Sequence, residues 1–268
     1  MAGTWRDIGD GIAVVRYPYL SQNIGLILGH DAAAVIDTRT TLSQAREVAR
    51  DVERHTRLPV RTVFNTHGHG DHAFGNSVFR PAVIWGQAGC EPFMRRTYAT
   101  QVEQIGELEP AIVGELEEGE LVPPDRTVET SGTVSVGGRS VELRHLGRAH
   151  TDHDLVIFVP DAGIAFTGDL IRPGGQPYFG DGFPLDWAET LRGFMGLPWE
   201  RLASGHGDAV DRAYVLADIA RHDALAGLAR LAHANGEPWD AIVGRVPFPP
   251  ETARVAVQRA YAQLDGTA

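Results

Sequence analysis

The chain has 268 residues, a length within reach of one α/β domain, and 43% of its residues are hydrophobic, enough for a packed core. Its 24 lysines and arginines against 35 aspartates and glutamates give a formal charge of −11, which opposes binding to a phosphate backbone, so no nucleic-acid partner is expected. The single cysteine, Cys90, excludes an intramolecular disulfide framework. The sequence shows no secretory signal and no stretch near the roughly 18 apolar residues of a membrane span, so we expect a cytoplasmic protein without membrane contact.

The first part of the chain predicts strands and one helix. Short apolar runs between turn residues predict strands at 11–17, 24–29, 33–37 and 60–64. Residues 41–57 predict a helix because apolar side chains recur on one face, and Pro59 follows its end. The strand at 60–64 leads directly into Asn65-Thr66-His67.

The composition changes between about 87 and 122. Met94, Tyr98, Val102 and Ile105 recur at helical spacing among many glutamates. We interpret this segment as an α-helical insertion, which is either a solvated helical face or a lid over a site.

Strand patterns return after the insertion, at 133–136, 141–145, 155–159 and 165–167. Asp186, with Glu189 three residues later, predicts a capping box at the start of a helix that ends at Met195. The tail predicts two helices, 214–234, stopped by Asn235-Gly236, and 251–264. Strands and helices thus occur twice, which predicts an α/β fold with sheets inside and helices outside. The insertion and the tail could form a lid or a homodimer interface, and the sequence favours neither.

Residues 67–72 read His-Gly-His-Gly-Asp-His. Three imidazoles and a carboxylate this close together are costly to bury without a cation, whereas both groups are good ligands for zinc and similar ions. Gly68 and Gly70 let the loop turn tightly, so that alternate side chains face different points. The sequence therefore predicts a metal site at this loop, rather than a chance polar segment.

The segment resembles the HxHxDH signature of the metallo-β-lactamase superfamily, and further motifs of that family follow in order. His150 lies just before a predicted strand, Asp169 follows one in Phe166-Thr-Gly-Asp-Leu, and His206 lies in Ser204-Gly-His-Gly. The resemblance spans about residues 10 to 210. It implies a four-layer αβ/βα sandwich, formed by one domain over residues 1–268 with a helical insertion at about 87–122 and a helical tail at about 211–268.

The resemblance also implies two divalent metal ions held by seven residues. These form a first set, a second set and a bridge: His67, His69 and His150; Asp71, His72 and His206; and Asp169. The imidazole-rich ligands favour zinc, although iron and manganese also accept nitrogen and carboxylate ligands. Such a pair of ions holds a bridging hydroxide by lowering the pKa of water toward about 7. Asp71 is then also a catalytic candidate, because it lies beside the nucleophile and can handle its proton.

Details of these motifs narrow the expected reaction. The flavodiiron relatives have glutamate in place of the second histidine of the loop, whereas this chain keeps that histidine as His69. Subclass B1 β-lactamases carry a cysteine at the position that Asp169 occupies here. Asp169 makes the chain similar to glyoxalase II and to related thioesterases and lactonases. The tail, however, lacks lysine and does not match the basic glutathione-binding region of glyoxalase II, and Thr151-Asp-His replaces the family's usual Thr-Pro-Gly.

These features predict a dinuclear, zinc-type metallohydrolase that cleaves an acyl bond of a small molecule, namely a thioester, a lactone or a β-lactam. The alternative is a mononuclear iron persulfide dioxygenase, whose loop resembles this one as well. A degenerate, non-catalytic metal-binding module fits poorly, because the ligand set is complete.

The loop at 172–184 follows Asp169 and is expected to form part of the substrate wall. Arg172 is a candidate for binding a substrate carboxylate or oxyanion, and Tyr178 is a catalytic candidate. Alternatively, Arg172 pairs with Asp181 and only orders the loop.

The remaining candidates have weaker signals. His145 and His153 lie near His150 in sequence and are either partners of the ligands, proton carriers or unrelated structural residues. The other histidines are expected at the surface or in packing positions, and Cys90 as a small buried side chain.

Overall fold

The computed structural model describes residues 3–117 and 119–267. The strands of this part of the chain form two sheets. The first sheet contains, in spatial order, β1 (Arg6–Gly9), β2 (Ile12–Tyr17), β3 (Gln22–Leu28), β4 (Ala33–Ile36), β5 (Val60–Phe64), β6 (Val83–Gln87) and β7 (Arg126–Val128). The second has the spatial order β12-β11-β10-β9-β8, with bounds β8 (Ser131–Val136), β9 (Arg139–Arg144), β10 (Val156–Val159), β11 (Ile164–Gly168) and β12 (Arg201–Ser204).

Both sheets mix strand directions. In the first, β1 to β4 pair antiparallel and β4 to β7 pair parallel. In the second, β11 and β12 are parallel and the other neighbours are antiparallel. The helices are α1 (Leu42–His55), α2 (Gly70–Ala73), α3 (Cys90–Leu108), α4 (Val113–Glu117), α5 (Trp187–Met195), α6 (Arg212–Ala234) and α7 (Pro250–Leu264).

The two sheets pack face to face with helices on their outer faces. Between the sheets, Phe64 of β5 lies in one apolar core with Leu143 of β9 and Phe166 of β11. Val48 of α1 belongs to the core on the outer face of the first sheet, and α5, α6 and α7 contribute to the core on the outer face of the second, for example through Leu191. Each large side chain buried in this way stabilises the fold by about 1.5–3 kcal/mol. The predicted four-layer αβ/βα sandwich is confirmed.

Loops from both sheets meet at one edge because two pairs of parallel strands end there. In the first sheet Ile36 at the end of β4 pairs with Phe64 at the end of β5, and in the second Gly168 of β11 pairs with Ser204 of β12. A bridge between Gln22 and His206 joins the two sheets at this edge. Residues that directly follow these four strands are therefore brought together.

The predicted strands and the two tail helices are confirmed to within about two residues at each end. The pattern missed four short strands, β1, β6, β7 and β12. The capping box at Asp186 was wrong, because the backbone of Asp186 is already helical and its side chain makes no capping hydrogen bond. Its carboxylate instead pairs with Arg148 at 2.7 Å and accepts from Gln263 Nε2 at 3.1 Å.

The predicted helical segment at 87–122 starts at the last residue of β6 and contains α3 and α4. Cys90 is buried at the start of α3 beside Met94, as expected of a packing residue. No helix in residues 3–117 and 119–267 has the length and apolar character needed to cross a bilayer.

Candidate metal centre

The histidine-rich loop leaves β5 and turns into the short helix α2. Asn65 Nδ2 donates to Asn76 Oδ1 at 3.0 Å, which fixes the start of the loop. Gly68 lies so close to α3 that a Cβ there would be 2.9 Å from Phe93 and 3.0 Å from Met94. The loop therefore needs glycine at this position in order to pack under α3.

The structure brings the seven predicted ligands into one cluster. Three groups have ligand atoms within 4.8 Å of one another, and together they contain all seven: His67, His69 and His150; His67, His72 and Asp169; Asp71, His72 and His206. Two of these groups correspond to the predicted first and second sets, and Asp169 joins one member of each. Asp169 thus lies between the two sets, where a bridging ligand is expected.

Each imidazole of the cluster has an inner ring nitrogen, which faces the cluster, and an outer ring nitrogen, which points away from it. In four of the five imidazoles the outer nitrogen makes a hydrogen bond. His72 Nδ1 lies 2.8 Å from Asp37 Oδ2, His206 Nδ1 lies 2.9 Å from the Leu20 carbonyl oxygen, and His69 Nε2 lies 2.9 Å from Asp181 Oδ2. His67 Nδ1 lies 3.1 Å from Thr66 Oγ1, which itself donates to Asp37. Since each of these partners accepts, the outer nitrogen carries the proton and the inner nitrogen keeps a lone pair that faces the cluster.

The inner atoms are polar, buried and in part unpartnered. His67 Nε2 and Asp169 Oδ1 are buried without a hydrogen-bond partner among the described residues. The other inner atoms face one another, with His69 Nδ1 2.9 Å from His150 Nε2 and His72 Nε2 3.2 Å from His206 Nε2. Lone pairs that converge at these distances in a buried place fit divalent cations well.

The pKa values of the clustered residues shift in both directions, because burial and the neighbouring charges oppose each other. Burial lowers the pKa of His150 to about 3, and burial together with the neighbouring imidazoles holds the pKa of His67 well below its usual range. Burial alone would raise the pKa of Asp71, but His72 and His206 outweigh it and hold that pKa well below its usual range. Burial likewise opposes a charge on His206, yet Asp169 and Asp71 raise its pKa to about 9. A cation at the second set would displace this proton, as metal binding generally does.

Asp37 is a buried site residue that the sequence analysis placed only at the end of a strand. It follows β4 in the left-handed region at φ 63°. One carboxylate oxygen accepts from Thr66 N at 2.8 Å, and the other faces both Thr66 Oγ1 and His72 Nδ1 at 2.8 Å. An aspartate directly after a strand that parallels the histidine-bearing strand was the signal that could have found it.

The loop at 172–184 contacts the cluster differently from the predicted pairing of Arg172 with Asp181. Arg172 donates to Asp169 Oδ2 at 2.9 Å, whereas Asp181 accepts from His69. That alternative was wrong because Asp181 is drawn to the imidazole of His69. The ring of Tyr178 lies 5.9 Å from that of His69 and 6.2 Å from that of His150, and its side chain is about half exposed.

His153 and His145 lie behind the cluster. His153 Nε2 accepts from Gly68 N at 3.0 Å, and its Nδ1 lies 2.7 Å from Asp152 Oδ1, so it braces the histidine loop. His145 Nδ1 bonds the Asp154 carbonyl oxygen at 2.9 Å. The carboxylate of Asp154 accepts from Thr151 N, the residue next to His150, and burial raises its pKa to about 7.

A cleft of about 610 Å³ opens onto the cluster. His69, Asp71, His150 and Asp169 lie at its floor, and Arg172, Tyr178 and Asp181 form one side. Helix α3 forms much of the opposite side. A small molecule of ordinary size fits such a volume.

Comparison with known families shows which family the chain belongs to. The residue pattern of the metallo-beta-lactamase superfamily matches residues 17–214. The chain belongs to this superfamily. The match covers all seven clustered residues and the strands from β3 to β12, and it ends at the start of α6.

Relatives within the superfamily include hydroxyacylglutathione hydrolases. That of Cereibacter sphaeroides (strain ATCC 17025 / ATH 2.4.3) is 30% identical over 197 residues, which are 73% of this chain and 66% of the relative. That of Erythrobacter litoralis is 26% identical over 198 residues, 71% of this chain and 65% of the relative. The chain thus spans just under two thirds of the length of these relatives.

A solved structure resembles the whole chain, including its helical tail. The sec-alkylsulfatase Pisa1 from Pseudomonas sp. has a TM-score of 0.79 at 17% identity, with 99% of this chain and 51% of that chain covered. At this identity the similarity shows the fold alone.

Proposed function

We propose that this metallo-beta-lactamase-superfamily chain is a one-domain hydrolase that uses two divalent cations to cleave an acyl bond of a small molecule. The bond is that of a thioester, a lactone or a β-lactam. The observation that carries the proposal is the direction of the imidazoles: four outer nitrogens are held by acceptors, so the inner lone pairs converge with two carboxylates at the floor of a cleft.

The residues divide between the two cations as the family resemblance implies. We assign His67, His69 and His150 to the first, Asp71, His72 and His206 to the second, and Asp169 to both. Five imidazoles and two carboxylates favour zinc, and iron or manganese is the alternative. When bound, two such cations would supply an activated water near neutral pH and would polarise the acyl oxygen.

The surrounding side chains complete the proposed chemistry. Asp71 lines the cleft, and we assign it the proton of the attacking water in addition to its ligand role. Arg172 lies beside Asp169 and would bind a substrate carboxylate or the developing oxyanion. Tyr178 lies beside His69 and His150, where its hydroxyl would donate to the same oxygen.

Similarity to hydroxyacylglutathione hydrolases supports a thioester among the accepted substrates. Glutathione carries two carboxylates, however, and Arg172 is the one cation among the residues that line the described cleft. A glutathione thioester is therefore not the expected best substrate.

The test combines metal content with turnover. Purified protein is analysed for metals and assayed with a thioester, a lactone and a chromogenic cephalosporin. Two metals per chain and hydrolysis that is lost in Asp71→Ala, but kept in Asp161→Ala at a distant surface ion pair with Arg139, support the proposal. One iron per chain, oxygen consumption with a persulfide and no hydrolysis would replace it by the dioxygenase alternative.

A further inference from the structure

One end of the cleft is apolar, and it lies away from the metal centre. The residues of α3 that line the cleft follow helical spacing, and the last of them is Leu108. Ile105, one turn earlier, still reaches the histidine loop, since a Cβ on Gly70 would lie 2.9 Å from its Cδ1. Gln101 marks the metal end of this face, because its Oε1 accepts from Gly70 N at 2.8 Å. Leu108 is seven residues further along the helix, about 10 Å at the rise of an α-helix. Its side chain is 81% exposed, which is costly for a leucine unless something covers it.

Leu20 lines the same cleft from another part of the chain. Leu20 and Ser21 both have left-handed backbones, with φ of 56° and 51°, a conformation uncommon for residues other than glycine. The turn is held in place by the cluster itself: the Leu20 carbonyl oxygen accepts from His206 Nδ1 at 2.9 Å, and Gln22 Nε2 donates to the carbonyl oxygen of Asp71. A strained turn bound to two predicted ligands thus presents a leucine, 44% exposed, to the cleft.

The charges of the cleft differ between its two ends. Arg172, its one cation among the described lining residues, is paired with Asp169 at the metal end. At the other end the lining residues next to Leu108 include Glu109 and no cation. A substrate with a distal carboxylate or phosphate would be repelled there, whereas an uncharged apolar group would cover the exposed leucines.

We infer that the substrate carries an uncharged alkyl chain, which lies between Leu20 and the Leu108 end of α3 while its acyl bond lies at the metal centre. This inference rests on the proposed function and narrows it to acyl compounds with an apolar chain of several carbons.

The test is a chain-length series. kcat/KM is measured for the N-acetylcysteamine thioesters of acetyl, butyryl, hexanoyl and octanoyl groups, and for γ-lactones with alkyl chains of increasing length. Each buried methylene is expected to raise kcat/KM by about two- to fourfold. In Leu20→Asn, which suits the left-handed backbone, and in Leu108→Asn the octanoyl-to-acetyl ratio falls at least tenfold. Leu231→Asn changes a 60% exposed leucine on α6, outside the cleft, and leaves the ratio as in the wild type.

A binding measurement separates this inference from the proposed function. Octanamide and acetamide, which are not thioesters or lactones, are titrated into metal-free protein by calorimetry. Hydrolysis with a flat chain-length profile would overturn the inference and leave the hydrolase intact. Absence of hydrolysis, with octanamide binding that is lost in Leu20→Asn and Leu108→Asn, would overturn the proposed function and uphold the apolar site. A dimer in sedimentation that Leu108→Asn converts to a monomer would overturn the inference, because a second copy would then cover these leucines.

Discussion

Replacement of Asp37 by asparagine should weaken metal binding without removing any ligand. Asp37 is 2% exposed, and it accepts hydrogen bonds at 2.8 Å from Thr66 N, Thr66 Oγ1 and His72 Nδ1. In Asp37→Asn the amide oxygen can still accept from Thr66 N, but an NH₂ group then faces His72 Nδ1. His72 must accept this bond, so its proton moves to Nε2, the nitrogen that faces His206 and Asp169.

The expected magnitude follows from this change of tautomer. Loss of the outer partner of a metal-binding histidine typically lowers metal affinity by about 10- to 100-fold. That corresponds to about 1.4–2.8 kcal/mol of binding free energy. The effect should fall on the second site, because His72 belongs to the second set, while the first site changes less.

The assay is a zinc titration of metal-free protein in competition with a chromogenic chelator, fitted with two sites. The matched control is Asp265→Asn, which removes the carboxylate of a comparable pair, 2.8 Å from His233 Nε2, on the distant α6–α7 surface. Circular dichroism checks that both variants fold. Second-site affinities within threefold of the wild type in Asp37→Asn would refute the reasoning about the tautomer.

Three further changes test other parts of the structure. Gly205→Ala would place a Cβ 2.3 Å from Asp169 Oδ1, so zinc affinity should fall at least tenfold in the same titration. The control is Gly227→Ala in α6, where a Cβ meets nothing within 4 Å and stability should rise by about 0.5–1 kcal/mol. A zinc affinity of Gly205→Ala equal to that of the wild type would contradict this. Burial lowers the pKa of His222 to about 3, so as pH falls from 6.5 toward 3 the unfolded chain binds this proton and the folded one does not. Stability should therefore fall by about 1 kcal/mol between pH 6.5 and pH 5.5 relative to His222→Phe in urea melts, and parallel curves would exclude the effect. Tyr178→Phe should lower kcat about 100-fold if the hydroxyl donates to the oxyanion, and unchanged kinetics on every accepted substrate would remove Tyr178 from the site.

The His222 prediction depends on the surroundings of that ring. Its centroid lies 4.7 Å from that of Trp187 in a stacked arrangement, and the rings of Phe179 and Phe248 pack against it at 5.7 and 5.6 Å between centroids. Neither ring nitrogen has a hydrogen-bond partner among the described residues, and Asp218 Oδ2 lies 3.9 Å away. Phenylalanine can replace a neutral ring in such a place without the loss of a hydrogen bond.

The sequence by itself determined the layers of the fold and the members of the histidine–aspartate cluster. Alternating and helical apolar patterns report local periodicity, so the strands around Phe64 and the helix α1 could be predicted from them. The signal for the predicted ligands is equally local, because His67 to His72 lie within six residues and imidazole and carboxylate groups are typical ligands of a cation. The capping box at Asp186 failed since Arg148 and Gln263 compete for its carboxylate, and neither contact can be read from local sequence.

Only the tertiary structure decided which nitrogen of each imidazole is held and what surrounds the cleft. The partners of His72, His69 and His206 lie 35, 112 and 186 residues away in sequence. They meet these rings because parallel strands from two sheets end at one edge, and no pattern in a single strand reports that meeting. The same packing brings α3 and the turn at Leu20 together around one cleft. The apolar character of the cleft, unlike the set of predicted metal ligands, therefore depends on contacts between distant segments.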